Sequence, residues 1–110
     1  MAWLMREGEV LAALEVAASR QARRKGLLGR DGIDGAVLLP SARMGVHTLG
    51  MRFPLDVAFC TNEMVVRRIV CARPGRMTRP SFTAPRVLEA EAGAFERWKL
   101  QVGDHLEIKE

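Results

Sequence analysis

The chain has 110 residues, 48% of them apolar and 27% charged, with a formal net charge of +4. This length gives one small domain, residues 1–110, and excludes any enzyme that needs a second, separate substrate domain. The apolar share excludes a disordered chain, and no apolar run reaches the roughly 18 residues of a membrane span.

Charge is unevenly placed. Residues 20–86 hold thirteen basic and four acidic side chains, a balance of +9, while residues 1–19 and 87–110 are acidic at −2 and −3. The middle of the chain can therefore present a surface attractive to anions. Arginine outnumbers lysine 14 to 3, which favours planar, forked recognition of carboxylate or phosphate.

Trp3–Met5 and Val10–Val16 are apolar runs separated by Arg6-Glu7-Gly8-Glu9, the pattern of a β-hairpin. Ser19 is a good N-cap, and the spacing predicts a helix over Arg20–Leu28, with Arg20, Arg23 and Arg24 on one face. Gly26 and Gly29 weaken its end, and Arg30–Gly35 is a loop by composition. Ala36–Leu39 predicts a short strand closed by Pro40, followed by an irregular Arg43–Phe53. Leu55–Cys60 and Met64–Cys71 predict two strands around a Thr61-Asn62-Glu63 turn. Pro74, Gly75, Pro80 and Pro85 make Arg73–Pro85 a long loop, a frequent seat of function. Val87–Ala92 alternates as a strand, Gly93–Leu100 predicts a second short helix, and a last strand carries Leu106 and Ile108 inward. The sum is an α+β single small domain: a curled, mostly antiparallel sheet or partial barrel of six to seven strands with two short helices.

Chemistry concentrates between Met44 and Cys60. Asp56 is the odd residue in an otherwise apolar strand, and a buried carboxylate must be paired, hydrogen-bonded or neutral. Arg52 lies four residues away, about 13 Å along a straight strand, and Arg73, Arg76 and Arg79 are the other candidate partners. His47 and Thr48 offer directional hydrogen bonds to the same ligand. Met44, His47, Met51, Met77 and Cys60 raise a soft-metal idea, yet their spacing matches no standard site, so no metal or other cofactor is expected. Cys60 as a nucleophile would need His47 within reach and a depressed pKa. Cys60 and Cys71 otherwise read as buried free thiols of a reducing compartment. With no leader-like apolar run at the start, a cytoplasmic location is expected.

Three stretches carry a family resemblance: Arg24-Lys25-Gly26-Leu27-Leu28-Gly29-Arg30, His47 to Phe59 with its Pro54-Leu55-Asp56-Val57 centre, and Val87 to Gly93 continuing to Val102-Gly103-Asp104. In this order they resemble domain-of-unknown-function family 192, also called uncharacterised protein family 0127, across residues 10–108. The resemblance implies a small α+β domain with a curled, mainly antiparallel sheet, and it brings no activity, substrate or cofactor with it. It places the family's recurring positions on Met51, Asp56, Glu89, Gly93, Gly103 and Asp104, with Pro74 in the loop. His47 and Arg52 stand where many members have an aromatic residue and an Asn. Asn62-Glu63-Met64 stands where many have a glycine.

The functional expectation is a non-catalytic binding module for a small anionic or polar ligand. Its cleft lies near residues 47–56 and 73–85 and is formed by His47, Thr48, Met51, Arg52, Asp56 and Arg76. One alternative is a protein–protein adaptor using the basic surface. Another is a small hydrolase or lyase with Asp56 or His47 as general base. Nucleic acid is not an expected partner, because no aromatic residue interleaves the Arg20–Arg24 run.

Overall fold

A computed structural model of the chain describes residues 2–17 and 32–110. The helix expected over Arg20–Leu28, with its Ser19 cap and the Gly26–Arg30 motif, lies outside the described residues. Seven strands are present among the described residues: β1 (Ala2–Arg6), β2 (Glu9–Val16), β3 (Ala36–Leu39), β4 (Leu55–Cys60), β5 (Val66–Ala72), β6 (Arg86–Glu91) and β7 (Glu107–Lys109). They form one sheet in the order β5-β4-β6-β3-β2-β1-β7. One short helix, α1 (Ala94–Arg97), accompanies them among the described residues.

The first hairpin turns on Glu7 and Gly8, both at positive φ (50° and 79°). Those are the dihedrals of a two-residue turn whose twist matches that of the strands it joins. β2 then runs parallel to β3, Leu14 beside Ala36, which makes the sheet mixed. The other strand pairs are antiparallel. β3 and β4 are buried along their whole length, as expected of continuous apolar runs bounded by Pro40 and Pro54.

Side-chain alternation divides the core in two. On one face Leu4, Leu14, Leu38, Ala58, Cys60, Val66 and Leu88 pack with Phe95 of α1, Leu100 and Leu106. On the other, Val37, Leu39, Leu55, Val57, Phe59 and Val87 pack under Val46, Met51, Phe53 and Ala84 from the two long loops. Both loops thus cover one face of the sheet, and α1 covers the other.

The sheet is curled and does not close into a barrel. Its two ends meet where Val66 N–H donates to the Asp104 carbonyl, Gly103 N–H to Val66, and Leu106 N–H to Met64. Gly93 (φ 98°) and Lys99 (φ 55°) bound α1 tightly, so it is shorter than the Gly93–Leu100 segment predicted from sequence. Leu100 N–H returns to the Phe95 carbonyl, the six-to-one bond that closes many helices. Arg6 reaches across from β1 to the carbonyls of Trp98 (2.7 Å) and Lys99 (3.2 Å) and to Asp104 Oδ2 (3.0 Å). It thereby neutralises the carbonyl-rich end of α1.

Candidate functional site

The two long loops do not stand apart as the walls of a cleft. They run antiparallel and are zipped together. Ala42 N–H donates to Pro85 O, Ser81 N–H to Arg43 O, Thr78 N–H to Val46 O and Thr48 N–H to Arg76 O, at 2.7–2.9 Å. His47 and Met77 pair as an isolated antiparallel bridge. Side chains complete the seam. Thr78 Oγ1 accepts from Val46 N–H at 2.9 Å. Thr48 Oγ1 accepts from Arg76 N–H at 3.0 Å and donates to the Arg73 carbonyl. Sequence reading recovers both loops as irregular and misses their pairing. The bonds join residues 25 to 43 positions apart, and no local pattern encodes them.

The loop ribbon presents its second half to β5, and a groove of about 420 Å³ opens there. Its walls are Arg68, Val70 and Ala72 from β5, with Cys71 at the strand's end, and Arg73, Arg76, Met77, Thr78 and Arg79 from the loop. Four of these nine residues are arginines and none is acidic. Arg68 is held in place: its guanidinium lies 3.9 Å from the centroid of Phe59 and donates to the Arg79 carbonyl at 2.7 Å. Burial, and then the Arg79 charge, pull Arg68 below the ordinary guanidinium value, and an arginine so placed stays charged. The two ion pairs among the described residues both use Arg6, so neither neutralises this groove. The geometry suits a carboxylate or phosphate group, which would share forked N–H donors from more than one arginine.

Asp56 looks the other way. It projects to the α1 face, opposite Ala90 and Cys71 in the strand register. Its Oδ2 accepts from Gly93 N–H at 2.9 Å and Phe95 N–H at 3.1 Å, so it caps the start of α1 from a neighbouring strand. The exposed Cys71 lies opposite Asp56 in the strand register. Burial first, then the charge of Asp56, push the Cys71 thiol up. A second, more open groove of about 560 Å³ lies here, with Ile69 and Cys71 of β5 on one side and Phe95, Lys99 and Leu100 on the other.

A family model described as Uncharacterized ACR, DUF192, matches residues 2–108. The chain belongs to this family. Two solved structures share the fold of this DUF192 domain. One, from Sinorhizobium meliloti 1021, is named a "putative transcription regulator". It is 25% identical, with a TM-score of 0.76, over 96% of this chain and 90% of that one. The other, a protein of unknown function from Novosphingobium aromaticivorans DSM 12444, is 21% identical, with a TM-score of 0.77, over 96% of this chain and 82% of that one. No curated protein matches the chain.

The DUF192 fold separates the residues that sequence reading had grouped. Of His47, Thr48, Met51, Arg52, Asp56 and Arg76, Arg76 alone lines the arginine groove. Thr48 is 1% exposed, and its hydroxyl is taken up by the loop backbone at Arg73 and Arg76. Met51 packs into the apolar cluster beneath the loops. Arg52 is exposed at the end of that loop, and His47 is half-buried opposite Met77. The partners found for Asp56 are amides, not arginines. Cys60 lies fully buried on the α1 face while Met51 lies on the loop face, so the sheet separates members of the soft-metal idea. Burial pushes the Cys60 thiol up to about 12, only partly offset by Arg86, which overturns its nucleophile reading. Sequence reading left Arg68, Arg73 and Arg79 out of the site. For Arg68 a signal existed: the alternation of Arg68 with Val70 in an apolar strand puts it on the loop-covered face.

Proposed function

We propose that this DUF192 domain is a non-catalytic binding module that takes a small anionic group, carboxylate or phosphate, into the groove formed by Arg68, Arg73, Arg76 and Arg79. One observation carries the reading: four arginines line one groove of about 420 Å³, and no acidic residue is among its walls. A ligand anion supplies the charge that the lining lacks. The general-base alternative is weaker for Asp56, whose carboxylate already receives two backbone amides.

Isothermal titration with citrate and with inorganic phosphate tests the proposal. We expect binding that weakens at least ~10-fold in Arg76→Ala/Arg79→Ala, because two of the charge-assisted contacts are removed. Absence of binding by either anion, or equal affinity in the variant, refutes it. A second reading, nucleic-acid contact, draws on the name of the Sinorhizobium structure and on the same arginines. It requires an affinity for DNA or RNA that falls steeply with salt through counterion release.

A further inference from the structure

The arginine groove and the α1-side groove flank the same strand, β5, from opposite faces. β5 is an edge of the sheet. Its start is covered, since Val66 exchanges backbone bonds with Gly103 and Asp104. Beyond that point β4 pairs with one side of the strand from Arg68 to Ala72, a bulge leaving Arg67 out of the register, and no strand among the described residues pairs with the other. Among the described residues this leaves about 17 Å of unpaired edge, room for five extended residues.

The side chains of β5 alternate between the two grooves. Arg68, Val70 and Ala72 line the cationic one, and Ile69 lines the other, with Cys71 between both. A strand added to an edge projects its own side chains alternately to the two faces, at a period of two residues. Every second side chain of such a strand would therefore meet Arg68, Arg73, Arg76 and Arg79. The intervening ones would meet Ile69, Phe95 and Leu100, in a groove that Asp56, Glu96, Lys99 and Gln101 also line.

We infer that β5 accepts an extended segment of a partner protein by strand addition, and that this segment carries acidic side chains at alternate positions and apolar ones between them. The inference rests on the anion reading of the arginine groove and names the source of the anion. Backbone bonds along the edge supply affinity, and the two grooves supply sequence preference. A second copy of this chain is a poor occupant. Antiparallel self-pairing over residues 68–72 would set Arg68 against Ala72 and Ile69 against Cys71, and it would bring no acidic side chain to the arginine groove.

The test uses the full chain and a fluorescent seven-residue peptide, Glu-Val-Glu-Val-Glu-Val-Glu, capped at both ends. Three controls accompany it: an isomer of the same composition in block order, and two peptides N-methylated at alternate residues, one for each phase of backbone donors. We expect the alternating peptide to bind, the block isomer and one N-methylated phase to bind at least ~10-fold more weakly, and the amides of residues 68–72 to gain protection from hydrogen exchange. If both N-methylated peptides bind as well as the parent, strand addition is wrong and the anion groove stands. The same holds if citrate binds but no peptide does. If neither citrate nor peptide binds, the anion reading fails and this inference falls with it.

Discussion

Asp56 ties β4 to the start of α1. Its Oδ2 holds the Gly93 and Phe95 amides at the start of α1. Asp56→Ala leaves both donors without that acceptor in a buried setting and should cost about 2–3 kcal/mol. Asp56→Asn, which keeps an acceptor of the same shape, should cost about 1 kcal/mol. Urea unfolding midpoints at constant m-value measure both. Cys60 gives a second expectation, with a definite sign. Its folded thiol keeps its proton to about 12 because it is buried. The unfolded thiol releases its proton near ~8.5. Between those values the unfolded state binds fewer protons, so stability is intact below the lower value and falls as pH rises toward the upper one. Cys71, also raised, adds to the same fall. Cys60→Ala should flatten the decline between about pH 9 and 12 in a pH series of unfolding midpoints. The sequence identified Asp56 as the residue needing a partner and could not say which. Gly93 and Phe95 lie 37 and 39 positions away and act through their backbone, which no side-chain pattern reports.

At the scale of elements, the zipped loops form the wall that carries Arg73, Arg76 and Arg79. Gly45 is the tight point of the seam. Its φ is +86°, and a Cβ there would stand 2.7 Å from Thr78 Oγ1 and 2.9 Å from the Thr78 carbonyl. Gly45→Ala therefore combines left-handed strain with a backbone clash, at a cost of about 2–3 kcal/mol. Because Thr78 lines the arginine groove, the same substitution should weaken citrate binding, read by titration alongside the unfolding curve. Ala36–Leu39 and Leu55–Cys60 match their predicted spans residue for residue, since a buried strand bounded by proline is a strong local signal. The turn after β4 was also legible, although not its strain. Met64 adopts φ 65° while buried in the core, at the turn where the family resemblance implies a glycine in many members. The return strand β5 accordingly begins at Val66, two residues later than expected.

For the whole molecule, composition and periodicity reached one small α+β domain with a curled, mostly antiparallel sheet or partial barrel and two short helices. The described residues form a mostly β domain with a mixed seven-stranded sheet and one short helix; strand order was out of reach. β6 inserts between β4 and β3, and β2 meets β3 in parallel, choices made by packing two apolar clusters on opposite faces and not by any local motif. The candidate site shares that fate. Its arginines come from β5 and a loop that only the loop–loop seam brings alongside. The order of strands also imposes a sequence in time. β1 leaves the ribosome first, yet one of its neighbours is β7, with Trp3 against Lys109, and the start of β5 waits for residues 103–106. A chain still attached at residue 100 would carry β1 with one edge bare and the curl unpinned. Synthesis at about 5–20 residues per second leaves that edge exposed for seconds. The nascent sheet therefore depends on residues 103–109, and on whatever shields an unpaired strand until they emerge.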